Sequence, residues 1–473
     1  MRQNLVFLIL IGLFGVLAIS LATRDRASHA VPLPIAPSAS ASTPEAPISS
    51  QSAAPSPSAS AAPATSVAKL GRPLRVIGNG WETLAPIVLA NGGLEPKKDS
   101  DVGKAGIEAA VRVARELDDF EAALARGGSD GDGADVAVIP LPNLVASYQK
   151  LQALRPVVVF ASAWSRGREV ITAKQPLDKL PASGEVHLAT DGTPAASYFG
   201  LFAAELAGVA PARLRAVEPG DAKIHLSALS RREFKAADQK DVLLSTAEAV
   251  RFAPIVLVCS AAFVEKHSDS VEHFVEAWLA GAKRLASDPT TSARSISALD
   301  NAPEPITLLA ALGDLVPIGL GENAELLGLS GRGAVTIDSL TLRMWRLARE
   351  AKWITVAQPE RSLVVTGPVA QIVRADPSQL RAAPSADAAP KLAKGARALI
   401  VVRAPKDGAE SAIGFVAGVF QRSPIRVSAA EPKLAESLVR VSSERFGLPQ
   451  GRLLTGTTAA RGAEAVVEVM PVP

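Results

Sequence analysis

Residues 186–206, VHLATDGTPAASYFGLFAAEL, decide between fold classes. The apolar-rich pentapeptide VHLAT runs into Asp191-Gly192-Thr193-Pro194 and then into a stretch of helical spacing. This is a strand giving way to a helix. Proline suits the first helical turn, and Thr193 or Asp191 can cap the orphan N–H groups just ahead of it. Gly192 has no side chain, so a ligand can approach the backbone there. The same D-G-T-P is also an ordinary capped turn, and both readings stand at this point.

The same strand-then-helix pattern extends in both directions. Short apolar runs predict strands at 74–78, 134–139, 156–161, 169–173, 186–190, 241–245 and 254–260. Amphipathic spacing predicts helices at 82–91, 119–126, 143–152, 194–207, 261–285 and 338–351. Such alternation is the mark of an α/β fold. Small or hydrogen-bonding residues stand where five of these strands stop: Asn79-Gly80-Trp81, Pro140 with Asn143, Trp164 with Arg166, Asp191-Gly192-Thr193, and Ser245-Thr246. Ligands of open α/β sheets bind beyond the carboxyl ends of strands, where helix N-termini present free N–H groups. Those five junctions therefore predict one shared cleft. Within it, Trp81 and Trp164 would wall an organic group and Arg166 would hold an anion bidentately. A core tryptophan and a solvated arginine are the plainer alternatives.

Composition narrows the function. The 473 residues are 48% hydrophobic and 21% charged, enough for two or three domains with real cores. A formal net charge of +3 excludes the basic surface of a nucleic-acid binder. Cys259 is the single cysteine, so neither an intrachain disulfide nor a thiolate metal site can form. Its apolar surroundings, PIVLVCSAAF, predict a buried, inert thiol. The five histidines, His29, His187, His225, His267 and His273, fall in no metalloprotease or nucleophile motif, and no phosphate-binding loop occurs. The expectation is no enzyme, no metal and no cofactor.

The N-terminus points out of the cytoplasm. A positive MRQN precedes the uncharged run 5–22, which is just long enough to cross a bilayer. A small-x-small site ends at Ala30, so residues 1–30 read as a signal peptide or signal anchor, with an uncleaved anchor favoured. Residues 31–71 are rich in Pro, Ala and Ser and read as an extended tether. A second linker is expected at 356–395.

Three stretches carry a resemblance: AALARGGSDGDGADVAVIPL (122–141), PLDKLPASGEVHLATDGTPAASYFGLFAAELAGV (176–209) and IVLVCSAAFVEKHSDSVEHFVEAWLAGAKRL (255–285). Residues 72–355 resemble periplasmic substrate-binding proteins of the nitrate, sulfonate and taurine type, a family that also includes thiamine-precursor binders. The resemblance implies a two-lobed, type II periplasmic-binding-protein fold. Lobe 1 would be 72–167 with 252–355, and lobe 2 would be 168–251. Hinges would fall near 165–167 and 251–253, closing on a small solute. The partner implied is an ABC permease, and the solute is anionic or sulfonate-like. The acidic loop 127–136 and the segment 92–113 depart from the family pattern.

Residues 396–473 predict a smaller α/β module in the order β-α-β-α-β-β, which resembles the OmpA-like domain. That family binds peptidoglycan through an Asp after its second strand and an Arg on its second helix. Here Ser428-Ala429-Ala430-Glu431 and Ala435 stand at those places, so the resemblance implies the fold and puts peptidoglycan binding in doubt. The expected whole is a periplasmic solute-binding protein held at the inner membrane. The alternative is an envelope adaptor with a non-binding cleft.

Overall fold

The computed structural model describes residues 70–114, 116–221, 223–231, 242–331, 333–380, 392, 395–449, 451–457, 460 and 464–472. The expected N-terminal span and the 31–69 part of the tether lie outside the described residues. Among the described residues no helix is long and apolar enough to cross a membrane.

The chain opens with β1 (Leu74–Asn79), β2 (Ala109–Ala114), β3 (Val136–Pro140) and β4 (Pro156–Ser165). It then makes β5 (Glu169–Thr172), β6 (Val186–Thr190), β7 (Leu214–Val217), β8 (Leu226–Ser230) and β9 (Val242–Ser245). It returns with β10 (Pro254–Ser260) and β11 (Leu315–Pro317). The first and third groups make one six-stranded sheet, ordered β11-β4-β10-β3-β1-β2, and the middle group makes a five-stranded sheet, ordered β7-β6-β8-β5-β9. Two sheets joined by two crossings, at 165–169 and 245–254, constitute the two-lobed α/β architecture expected from the sequence.

Burial explains the central strands. All ten residues of β4 are buried, as are all of β10 except Ser260, so these strands read as near-continuous apolar runs. Register then places the five junctions. Gly78 pairs with Val138, Pro140 with Ile255, and Trp164 with Pro254, so β1, β3 and β4 all end at the rim of the first sheet where the chain crosses. In the second sheet Thr190 pairs with Ala228, Ser230 with Glu169, and Ser245 with Val170. The ends of β6, β8 and β9 thus meet the start of β5 at the crossing rim.

The sequence reading missed β2, whose Arg112 is exposed, and three short strands, β7, β8 and β11. The helix expected at 261–285 is broken at His267 into Ala261–Lys266 and Ser268–Ser287. Part of the stretch expected to be a linker is folded. Val158 donates to the Leu363 carbonyl at 2.6 Å and accepts from Val365 N–H at 2.9 Å. The helix Gly367–Ala375 then buries Val369 and Ile372 and packs against Ser268–Ser287. The acidic loop 127–136 lies at the N-terminal end of β3, away from the crossings, where Asp135 accepts two 2.7 Å hydrogen bonds from Arg72.

The last module follows the expected order. It comprises β12 (Ile400–Pro405), a helix Ala409–Val419, β13 (Ile425–Ala429), a helix Pro432–Phe446, β14 (Leu453–Thr455) and β15 (Glu464–Val469). Its sheet runs β12-β15-β13-β14, with β13 and β14 parallel and the other pairs antiparallel. This module is docked on the lobes. Phe202 of the helix Pro194–Leu206 lies 4.7 Å from Phe252 in the second crossing, 6.0 Å from Phe415 and 6.4 Å from Phe420, centroid to centroid. The guanidinium of Arg343 sits 3.9 Å from the Phe415 centroid. A Cβ on Gly418 would meet that of Ala334 at 3.2 Å, so the absence of a side chain permits the close approach.

Candidate functional site

The crossing rims carry a connected set of polar groups, most of them engaged within the chain. Glu169, at the start of β5, is buried and accepts from Ser165 Oγ at 2.5 Å and Thr246 Oγ1 at 3.0 Å. Burial pushes its carboxyl up from the ordinary range, while the Ser165 hydroxyl, the Arg168 charge and the Thr246 hydroxyl pull the other way. Arg168 reaches across from the second lobe to the buried carboxylate of Glu82. Glu82 lies in the first turn of the helix Trp81–Asn91, the turn where an incoming anion would otherwise meet free N–H groups.

The sequence-predicted residues divide by environment. Asn79 is half-buried, and its carbonyl accepts from Thr83 Oγ1 at 2.9 Å. Gly80 has φ 90°, a backbone conformation that favours glycine, and a Cβ there would also crowd the Glu82 carboxylate. Trp81 is half-buried against the core. Trp164 is 1% exposed, and its indole N–H donates to Glu322 Oε1 at 2.9 Å. Arg166 gives its Nε–H to the Gly313 carbonyl at 3.1 Å. Asp191 closes a turn on Thr193, accepting from its N–H at 2.9 Å and its Oγ1 at 2.7 Å, and also takes the Ser230 N–H. Gly192 and Thr193 are exposed. Ser245 donates from N and Oγ to Glu248, and Thr246 is wholly buried on Glu169. Asp191 is therefore engaged within its own turn and with β8, and it does not cap the helix Pro194–Leu206 as the sequence suggested.

A different state holds where the lobes' helices touch. Pro140 precedes the helix Leu141–Leu151, which packs directly against Pro194–Leu206 of the other lobe. The helix Ile337–Glu350 packs on both, with Trp345 edge-on to Tyr148 at 4.8 Å. Asn143 and Ser147 lie one turn apart on the first of these helices, and Tyr198 lies on the second. Among the described residues, Asn143 Oδ1, Ser147 Oγ and the Tyr198 hydroxyl are all buried with no hydrogen-bond partner. Their residues are 7%, 2% and 3% exposed. Buried polar atoms are nearly always paired, so three orphans on two contacting helices are unusual. Burial pushes the Tyr198 phenol up, which keeps its hydroxyl a donor. None of the three helices that start at this rim, Trp81–Asn91, Leu141–Leu151 and Pro194–Leu206, has a side-chain cap on its N-terminus.

Of these residues the sequence reading names Asn143 as a candidate and does not name Glu82, Arg168, Glu169, Ser147 or Tyr198. A signal existed for Ser147, four residues after Asn143 and hence on its face. Tyr198 sits inside the opening stretch, one turn past Pro194. Among the described residues no group of three His, Cys, Asp or Glu is placed to hold a metal ion. Cys259 is buried, and burial pushes its thiol up.

No family model matches the chain, and no curated protein matches it. Among solved structures, it is similar to the periplasmic aliphatic sulphonate-binding protein SsuA of Escherichia coli (14% identity, 61% of this chain and 95% of that one, TM-score 0.41). It is also similar to a putative periplasmic sulfonate-binding protein of Methylobacillus flagellatus (12%, 66% and 96%, TM-score 0.46). A third is the periplasmic nitrate-binding protein NrtA of Synechocystis PCC 6803 (12%, 66% and 91%, TM-score 0.40).

Proposed function

We propose that this protein is a periplasmic solute-binding protein that captures a small polar solute between its lobes, for an ABC transporter or for sensing. The observation that carries this reading is the trio of unpartnered polar atoms on Asn143, Ser147 and Tyr198, carried by two of the three helices that start at this rim without side-chain caps. A solute offering both acceptors and a donor would complete their hydrogen bonding in a dry site, where each bond counts most. A sulfonate or nitrate fits the two hydroxyl donors and the free helix N–H groups. Glu82 narrows the space for an anion, because the protein's own carboxylate stands at one of those helix starts. The N-terminal segment would hold the protein at the inner membrane.

Thermal unfolding in the presence of nitrate, taurine, alkanesulfonates and pyrimidines tests this, since a ligand of the folded state raises the melting temperature. At least one should raise it in the wild type and not in Asn143→Ala/Tyr198→Phe. No rise with any compound would overturn the reading.

A second reading, an envelope adaptor with a non-binding cleft, is favoured by one feature. Glu205 of the second lobe is paired with Arg343 at 2.6 Å and with Arg346, both on the helix Ile337–Glu350. Together with the aromatic cluster around Phe252, this clasp opposes hinge opening. The likeness of residues 396–473 to the OmpA-like domain is proposed on element order alone. Sedimentation with purified peptidoglycan should show little binding, because Ala435 is buried and cannot hold a peptide carboxylate.

A further inference from the structure

We propose that the seam between the second crossing and the C-terminal module binds a small oxyanion of the sulfate or phosphate class, held by Arg251, Arg452 and Ser423. Arg452, just before β14, is 7% exposed, and its Nη2 donates to the Phe420 carbonyl at 2.8 Å and to that of Ala417. Ser423 is fully buried, and its N–H donates to the same Phe420 carbonyl at 3.0 Å. Arg251, in the crossing, gives its backbone N–H to Val419 at 3.1 Å. All three residues are thus fixed to the short segment 417–423.

Each of the three has a buried donor with no acceptor among the described residues: Nε of Arg251, Nε of Arg452 and Oγ of Ser423. Charge points the same way. Arg251 is paired with Glu322 at 2.7 Å. Among the described residues no carboxylate forms an ion pair with Arg452. Burial, and then the like charge of Arg251, pull Arg452 down to about 10, so it remains a cation at neutral pH. The carbonyls at the end of the helix Ala409–Val419 take its Nη2 and partly offset the charge, but they leave Nε unmet. A buried guanidinium without a counter-ion is costly, and unpaired buried donors add to that cost. An oxyanion supplies both the charge and several acceptors in a geometry that guanidinium groups fit. It would also tie the crossing to the tail. The seam is independent of Asn143, Ser147 and Tyr198, so this site stands whether or not the lobes take a solute.

The test is thermal unfolding of the full-length protein in sodium chloride, sulfate, phosphate and methanesulfonate at matched ionic strength. Sulfate or phosphate at saturation should raise the melting temperature by about 3 °C over chloride. The rise should vanish in Arg452→Met and persist in Asn143→Ala/Tyr198→Phe. Sulfate also stabilises proteins by exclusion from their surfaces, so an equal rise in wild type and Arg452→Met overturns the proposal. No rise over chloride in the wild type overturns it too. Should Arg452→Met fail to fold, Arg452→Lys keeps the charge without the Nε–H and should lose most of the rise. Ser423→Ala should weaken the anion by about tenfold. A rise with sulfate or phosphate alone supports a free inorganic ion, and a rise with methanesulfonate as well supports the oxyanion end of a larger molecule.

Discussion

The crossings and the helix contact beside them lie at the same rim but treat polar groups in opposite ways. At the crossings, Ser165, Glu169 and Thr246 form one closed set, Trp164 and Arg251 share Glu322, and Arg168 holds Glu82. On Leu141–Leu151 and Pro194–Leu206, two helices that touch, three buried polar atoms have no hydrogen-bond partner among the described residues. The first arrangement fixes the lobes relative to each other. The second leaves hydrogen-bonding capacity unused, and it is there that the proposed solute would bind. A site is read here from unmet hydrogen bonds, more than from the mere presence of polar residues at strand ends.

The sharpest way to break this contrast is to loosen the fixed side. Phe252→Ala removes the ring that Phe199 and Phe202 pack against, at 5.2 and 4.7 Å. It should cost about 3–5 kcal/mol in denaturant unfolding. The tail should also lose hydrogen-exchange protection around Phe415 and Phe420. Unchanged protection there would mean that the tail docks without the crossing.

Arg168→Met should rank second, at about 3 kcal/mol, because it strands the buried Glu82 carboxylate without this countercharge. Adding Glu82→Gln should recover most of that loss. Additive penalties in the double variant would show that the two side chains act separately.

How much of this was legible in the sequence depended on how local each cause is. The β1, β3, β4, β6 and β10 runs are apolar because those strands are central or buried, so short apolar runs bounded by turn residues mark them. β2 alternates around an exposed Arg112, and most of it falls in the segment 92–113 that departs from the family pattern, so its short apolar run is not read as a strand. Residues 363–375 looked like linker because Pro and polar residues surround them, yet Leu363, Val369 and Ile372 reach the first lobe's core. Gly80 could be read from a strand–glycine–helix junction. The Glu82–Arg168 pair could not, since 86 positions separate the partners and only the crossing brings them together. Nothing in the sequence around Tyr198 singles it out. Its ring lies in the core, and only the unmet hydroxyl marks it out.

A smaller effect follows from Glu169. Its carboxyl is raised, so the native state binds that proton more tightly than the unfolded chain does. The stability it contributes is full below the ordinary value of 4.5 and is lost as pH rises through the raised value. Glu169→Gln keeps an acceptor for Ser165 and Thr246 and cannot ionise. The variant should be more stable than wild type at neutral pH, and the advantage should fade towards pH 4. A constant difference across that window would mean that Glu169 does not titrate differently on folding.

The smallest change in stability should come from the site itself. Tyr198→Phe removes a buried hydroxyl that has no partner among the described residues, so desolvating that group no longer opposes folding. The variant should be as stable as wild type or more stable by up to about 1 kcal/mol. Removing a partnered hydroxyl would have the opposite sign. Thr246→Val, of similar shape at the crossing, strips one of the two donors from Glu169 and should destabilise. The pair of variants therefore compares the two sides of the rim directly. If Tyr198→Phe destabilises as much as Thr246→Val, its hydroxyl is already satisfied within the protein, and the hydrogen bonding assigned to a solute has been met from inside.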